Sequence, residues 1–199
     1  MSKSTEWNKR YSSPDYVYGT EPNKFLKQEL SKLATGRLLL PGEGEGRNAV
    51  WAAINKWEVT AVDISQVGKE KAMKLFFAHN VEVNYRVGNI LELNFDEQFN
   101  AIGLIYLHLP KKLKQTFAIK IAQLLAPKGT LIMETFHPEQ ILRNSGGPKN
   151  PDYFVAPNEL KTYFNMLNIV SIETQEVYLN EGAHHKGKAM VIRMVATKE

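Results

Sequence analysis

Leu38-Leu39-Leu40-Pro41-Gly42-Glu43-Gly44-Glu45-Gly46-Arg47-Asn48-Ala49 is the stretch that decides the fold of this chain. A short apolar run stops in alternating glycines and passes into helix-like sequence from Asn48 to Lys56. Strand, tight turn and helix in that order form the nucleotide-binding edge of a parallel sheet. Glycine suits the turn because the chain must reverse sharply and let a ligand approach its backbone with no Cβ in the way. The glycines fall at 42, 44 and 46, so Arg47 occupies the third-glycine slot of a G-x-G-x-x-G dinucleotide fingerprint.

Outward from this loop, apolar runs alternate with helical periodicity. Candidate strands are Arg37–Leu40, Glu58–Val62, Val81–Val87, Ala101–Leu107, Thr130–Thr135, Ile169–Tyr178 and Lys188–Ala196. Leu113, Phe117, Ile121 and Leu124 repeat at helical spacing, as do Leu26, Leu30 and Leu33 in a helix expected to begin just after Pro22. Ala126-Pro127-Lys128-Gly129 is expected to end the longer helix. Alternation through about residue 135 implies a doubly wound parallel sheet. The last two strands are joined only by Asn180–Gly187, long enough for an antiparallel hairpin and too short for a parallel crossover.

The 199 residues suit one domain, with 1–34 as N-terminal lid and helix, 35–136 as ligand-binding core, and 137–199 as acceptor-side loop and hairpin. No apolar run reaches the ~18–20 residues of a membrane span, and the N-terminus has no signal-peptide core, so a cytoplasmic location is expected. Without cysteine, disulfides, thiolate chemistry and cysteine-based zinc sites are excluded. The net charge of +4 is interspersed, and the densest basic patch, Lys111-Lys112-Leu113-Lys114, reads as a solvated helix face. A nucleic-acid partner is not expected, because no basic stripe interleaved with aromatics is present. The oligomeric state has no signature in the sequence.

Residues at the carboxyl ends of the strands face the ligand crevice. Asp63, followed by Ile64, ends the second strand 21 residues beyond Gly42, where a carboxylate can accept from both hydroxyls of a ribose. Ser65 is free to cap the next helix. Asn89 and Ile90 follow the third strand, and Tyr106 and His108 the fourth. His137, after the fifth, is expected to border an acceptor pocket together with Asn144–Lys149. His184 and His185 are adjacent on a strand and point to opposite faces, so they read as a hairpin tip and no metal site is expected.

The G-x-G-x-G loop resembles motif I of the class I S-adenosylmethionine-dependent methyltransferases, and the parallel sheet closed by a hairpin matches their seven-stranded Rossmann-like fold. Trp7, Arg10-Tyr11, Tyr18-Gly19 and Pro22–Leu26 resemble the N-terminal lid of the tellurite-resistance and thiopurine methyltransferase group. Gly44–Val50, Val62–Ser65, Tyr106–Pro110 and Leu125–Glu134 follow in that group's order. The resemblance implies S-adenosyl-L-methionine as cofactor, held by Gly42, Glu43, Gly44, Gly46, Arg47, Asp63, Ile64, Asn89, Ile90 and Tyr106, with Trp7, Tyr11 and Tyr18 over it. Asn89 stands where the family usually has an acidic residue against the adenine amino group. The family's usual Asp before the first glycine is absent, leaving Glu43 or Glu45 to brace the loop.

The implied activity is in-line methyl transfer to a small-molecule acceptor such as a thiol or a reduced chalcogen species, with Tyr106 and His108 at the reacting centre. Orientation alone can be worth effective molarities on the order of 10⁵–10⁸ M. An acidic thiol needs no general base, whereas a hydroxyl or ammonium acceptor would need one, such as His108, within ~3 Å. The alternative function is a catalytically silent protein that binds S-adenosylmethionine or S-adenosylhomocysteine. A nicotinamide dehydrogenase is disfavoured by Arg47 and by the hairpin.

Overall fold

Leu38, Leu39 and Leu40 lie in β1 (Arg37–Pro41), with Leu38 and Leu40 facing one apolar layer and Leu39 the other. In the computed structural model, which describes residues 2–199, β1 belongs to a seven-stranded sheet with order β3-β2-β1-β4-β5-β7-β6. β2 (Glu58–Asp63), β3 (Asn84–Val87), β4 (Phe99–Ile105) and β5 (Leu125–Phe136) extend the parallel part. β6 (Asn168–Glu181) and β7 (His185–Thr197) form the antiparallel hairpin, with β7 paired on β5.

Helices cover both faces. α2 (Lys24–Leu30), α3 (Arg47–Ile54) and α4 (Gln66–Ala78) bury Leu26, Leu30, Val50, Leu75 and Phe76 against one face. α5 (Lys111–Leu124) and α6 (Pro157–Tyr163) bury Phe117, Ile121 and Leu160 against the other. The caps follow side-chain chemistry. Asn23 Oδ1 accepts from Leu26 N at 2.9 Å at the start of α2, and Ser65 Oγ accepts from Gly68 N at 2.9 Å at the start of α4. The strand order reverses between β1 and β4, so the glycine loop leaves β1 at the switch point where open α/β sheets bind ligands.

Some boundaries differ from the sequence reading. β3 starts at Asn84, not Val81, because Asn80 takes φ 52 and Val81 N bonds back to Phe76 O at 3.1 Å, ending α4. α5 passes directly into β5 at Leu125, and Lys128 absorbs the turn with φ 63, so Ala126–Gly129 lies within the strand. The hairpin strands are longer than expected, with Glu181 opposite His185. α1 (Lys3–Tyr11), α6 and two one-turn 3-10 helices, Pro138–Leu142 and Pro151–Tyr153, have no counterpart among the expected elements.

Candidate active site

The glycine loop is held from three sides. Gly42 N and Glu43 N both donate to Val62 O, at 2.7 and 3.2 Å, which ties the turn to the end of β2. Gly44 N donates to Asp63 Oδ2 at 2.9 Å, and the Tyr85 hydroxyl donates to Gly44 O at 2.6 Å. All three glycines have positive φ, and at each a Cβ would also strike a neighbour: Leu107 Cδ1 at 2.8 Å from Gly42, Tyr11 Oη at 2.4 Å from Gly44, and Ala72 Cβ at 2.8 Å from Gly46. Gly44 and Gly46 thus face Tyr11 and α4 rather than the cleft, and serve the backbone turn; only Gly42 of the three borders it.

Of the two acids left to brace the loop, Glu43 is the one turned onto the start of α3. The N-cap of α3 is Gly46, which has no side chain to offer the helix. The Glu43 carboxylate accepts instead from Asn48 N and Ala49 N, both at 2.8 Å, and from Asn48 Nδ2 at 3.1 Å. Burial pushes its pKa up to about 7, against the pull of these donors. Glu45 braces a different element, accepting from Val17 N at 2.8 Å and pairing with Lys71 at 2.5 Å.

A cleft of about 930 Å³ opens above the loop. Asp63, Ile64, Asn89 and Ile90 border it from the ends of β2 and β3, and Tyr106 and His108 from the end of β4. Asp63 is raised to about 6 by burial, offset by donation from Ser65 N at 2.8 Å and from Gly44 N. Asn89 Oδ1 accepts from Leu91 N at 3.1 Å. Each of these oxygens accepts one such bond and has a second lone pair to offer.

α1 lies over this space. Asn8 Oδ1 accepts from Ser65 Oγ at 2.7 Å and from Val67 N at 3.3 Å, docking α1 on the start of α4. Lys71 Nζ donates to Ser13 O and Asp15 O, at 2.9 and 2.6 Å, fastening the segment that follows. Trp7, Tyr11 and Tyr18 border the cleft, with Trp7 stacked on Tyr11 at 5.3 Å. Arg47, also on the cleft wall, donates to Tyr18 O and Glu21 O and pairs with Glu181 at 2.9 Å, joining the lid segment to the hairpin.

The far side of the cleft differs from the expectation in four places. The Tyr106 hydroxyl is committed to Glu134 Oε1 at 2.7 Å, and burial and that carboxylate push its pKa well up, so it faces the cleft as a ring rather than a base. His108 does border the cleft, but burial, with His185 and Lys114 nearby, lowers its pKa to about 3. Its Nδ1 is sealed in without a partner among the described residues; a buried lone pair without a partner is better tolerated than a buried N–H, which puts the proton on Nε2. His137 does not border the cleft: its Nδ1 accepts from Glu139 N at 3.3 Å and caps a 3-10 turn. His185 is buried on the cleft wall and not at a solvated tip, because the hairpin strands continue to Glu181 and His185.

The loop from Asn144 to Lys149 lines the same side as expected, except for Ser145, which is buried and donates to Lys188 O at 2.6 Å. Lys114 is not part of a solvated face: it is buried, and its Nζ donates to the carbonyls of Asp152 and Phe154. It thereby pins the chain that leads from this loop to α6.

Residues 39–129, spanning β1 to the middle of β5, match the family model described as "Methyltransferase domain". That stretch, 91 of the 199 residues, is similar to a methyltransferase domain. A ubiquinone biosynthesis O-methyltransferase of Rickettsia bellii is 26% identical over 167 residues, covering 76% of this chain and 68% of that protein. Among solved structures, TehB from Haemophilus influenzae superposes with a TM-score of 0.74 at 16% identity, over 99% of this chain and 67% of the other. The N-methyltransferase NodS from Bradyrhizobium japonicum, in complex with S-adenosyl-L-homocysteine, gives 0.70 at 16% identity over 98% of both chains. At such identity these structures establish the shared fold.

The cofactor of the methyltransferase domain is S-adenosyl-L-methionine, and the site fits it. The cleft lies at the β1/β4 switch point, a carboxylate ends β2, and its volume is near the top of the ~300–1,000 Å³ range of small-molecule sites. When bound, the sulfonium supplies an electrophilic methyl carbon. The chain's own contribution is to orient the partners and exclude water, for which the α1 roof is suited. No helix among the described residues is long and apolar enough to cross a membrane.

Proposed function

We propose that this methyltransferase acts on a small-molecule nucleophile, a thiol, a reduced chalcogen species or a hydroxyl, within one domain spanning the chain. The observation that carries this reading is a single roofed cleft with two chemically distinct ends. At one end Asp63, Ile64, Asn89, Ile90, Gly42 and Glu43 line the wall beneath Trp7, Tyr11 and Tyr18; in this reading Asp63 and Ile64 take the cofactor's ribose, Asn89 and Ile90 its adenine, and Gly42 and Glu43 its methionine portion. At the other, His108, His184, His185 and the Asn144–Lys149 loop enclose space for the acceptor. The α1 roof favours a small acceptor over a macromolecular one, because a nucleic acid or protein chain would have to displace it. The hydroxyl class is included because the Rickettsia bellii relative is named an O-methyltransferase.

The test is incubation with labelled S-adenosyl-L-methionine and four acceptors: thiophenol, 2-mercaptoethanol, catechol, and hydrogen selenide generated from selenite. Mass spectrometry follows both S-adenosylhomocysteine and methylated product. Methylation of at least one acceptor is expected. Binding without consumption across the whole panel would contradict the reading.

A further inference from the structure

His185 is the best-built titratable group in the cleft that the reading above leaves without a task. Its Nδ1 lies 3.3 Å from Glu181 Oε2, the residue opposite it at the end of the hairpin. The Glu181 carboxylate also accepts from Arg47 Nη2 at 2.9 Å and from Asn23 Nδ2 at 3.4 Å. Burial acts to raise the Glu181 pKa, but His185 and Arg47 outweigh it and hold it at about 2, so the carboxylate stays ionised. An ionised carboxylate on Nδ1 fixes the tautomer: the proton sits on Nδ1, and Nε2 presents its lone pair.

The rest of the imidazole is fixed by packing. It sits 4.6 Å from the Tyr18 ring, 4.7 Å from Tyr106 and 5.3 Å from Phe136, centroid to centroid. Nε2 has no protein partner among the described residues and, unlike Nδ1 of His108, is not shut off from the cleft. The acceptor-side loop closes on this edge of the ring. A Cβ at Gly146, where φ is 123, would stand 2.6 Å from His185 Cδ2 and 3.3 Å from Nε2. Glycine at that position lets the loop backbone approach the imidazole.

Resting on the methyl-transfer reading, we infer that His185, oriented by Glu181, takes the proton from the methyl acceptor, and that acceptors still protonated at neutral pH, an aliphatic thiol or a hydroxyl, are within the enzyme's range. As the acceptor atom bonds to the methyl carbon, the carbon–sulfur bond of the donor breaks and its electron pair stays on sulfur. The acceptor's proton passes to Nε2, and the resulting imidazolium faces the Glu181 carboxylate until it releases the proton to water. His108 flanks the opposite side of Phe136, with ring centroids at 5.6 Å, and its Nε2–H supplies a donor rather than a base.

The charged and titratable groups around His185 come from several elements: Glu181 from β6, Arg47 from α3, Arg10 from α1, Tyr18 from the lid segment, Tyr106 and His108 from beyond β4, and His184 from the turn. Burial lowers the His185 pKa, Arg47 and Arg10 lower it further, and Glu181 opposes them. The ring is therefore neutral and able to accept a proton at physiological pH.

The deciding experiment compares wild type with His185→Gln on 2-mercaptoethanol and catechol, protonated at neutral pH, and on thiophenol, which is largely ionised there. For the protonated acceptors kcat/KM is expected to fall about 100-fold, and for thiophenol by less than about threefold. The deficit with 2-mercaptoethanol should close as pH rises and ionises the thiol. Glu181→Gln should show the same acceptor dependence at smaller size. Calorimetric S-adenosylhomocysteine binding within about threefold of wild type would show an intact cofactor half. An equal loss on all acceptors at every pH would make His185 structural and overturn the inference, as would a wild type active on thiophenol alone. Wild-type inactivity on the whole panel would instead sink the acceptor reading on which the inference rests.

Discussion

Replacing Glu43 with glutamine should flatten the pH dependence of this protein's stability. In the unfolded chain Glu43 titrates near 4.5, and in the folded protein burial moves it to about 7. Between those values the folded state holds the proton that the unfolded state has lost. Its contribution is therefore fully present below about pH 4.5 and is lost as pH rises through about 7. At 1.36 kcal/mol per pKa unit, the loss is about 3 kcal/mol. Asp63, raised from 3.8 to about 6 by burial, adds a change of the same sign and about the same size. In the Glu43→Gln variant the side-chain amide oxygen can still accept from Asn48 N and Ala49 N, but the group cannot ionise. Urea unfolding without ligand, at about pH 5 and about pH 8, should show wild type losing roughly 2–3 kcal/mol more than the variant over that interval. Identical pH profiles for the two proteins would refute the placement of Glu43 as a buried cap.

Three further changes probe the loop and its roof. Tyr85→Phe leaves the buried Gly44 carbonyl without its 2.6 Å partner and should cost about 1–2 kcal/mol in denaturant unfolding. Gly46→Ala adds a Cβ at φ 90, against Ala72 and Phe76 at 2.8 Å, and should cost about 2–3 kcal/mol with a melting point lowered by several degrees. Trp7→Ala removes the stack on Tyr11, and stopped-flow measurement should show S-adenosylhomocysteine leaving on the order of ten times faster with little change in the association rate.

What the sequence made legible was local and periodic. The alternation of apolar runs with helical spacing, the glycine loop, Asp63 at its distance and the short hairpin link all depend on neighbours within a few residues, and the sheet order agrees with them. α1 was hidden because its sequence is mostly polar and its docking comes from Asn8 on Ser65 and Val67, more than fifty residues away. The direction of Glu43 was unreadable because it depends on a cap position that falls on a glycine. His185 was missed for a related reason. Its burial depends on where the hairpin turns, and a shift of a few residues separates a solvated tip from a cleft wall facing Tyr18, Tyr106 and Phe136. Lys114 looked like one member of a basic run, yet carbonyls from a loop about forty residues on take its ammonium group out of solvent.

The central claim is that Asp63 and the glycine loop hold S-adenosyl-L-methionine in this cleft, and calorimetric titration of wild type and Asp63→Asn with S-adenosylhomocysteine tests it most directly. The account predicts one site of micromolar affinity in wild type, weakened about 10- to 100-fold in the variant by the loss of charge-assisted bonds to the ribose. Absence of binding to the folded wild-type protein, or equal affinity in the two proteins, would contradict it.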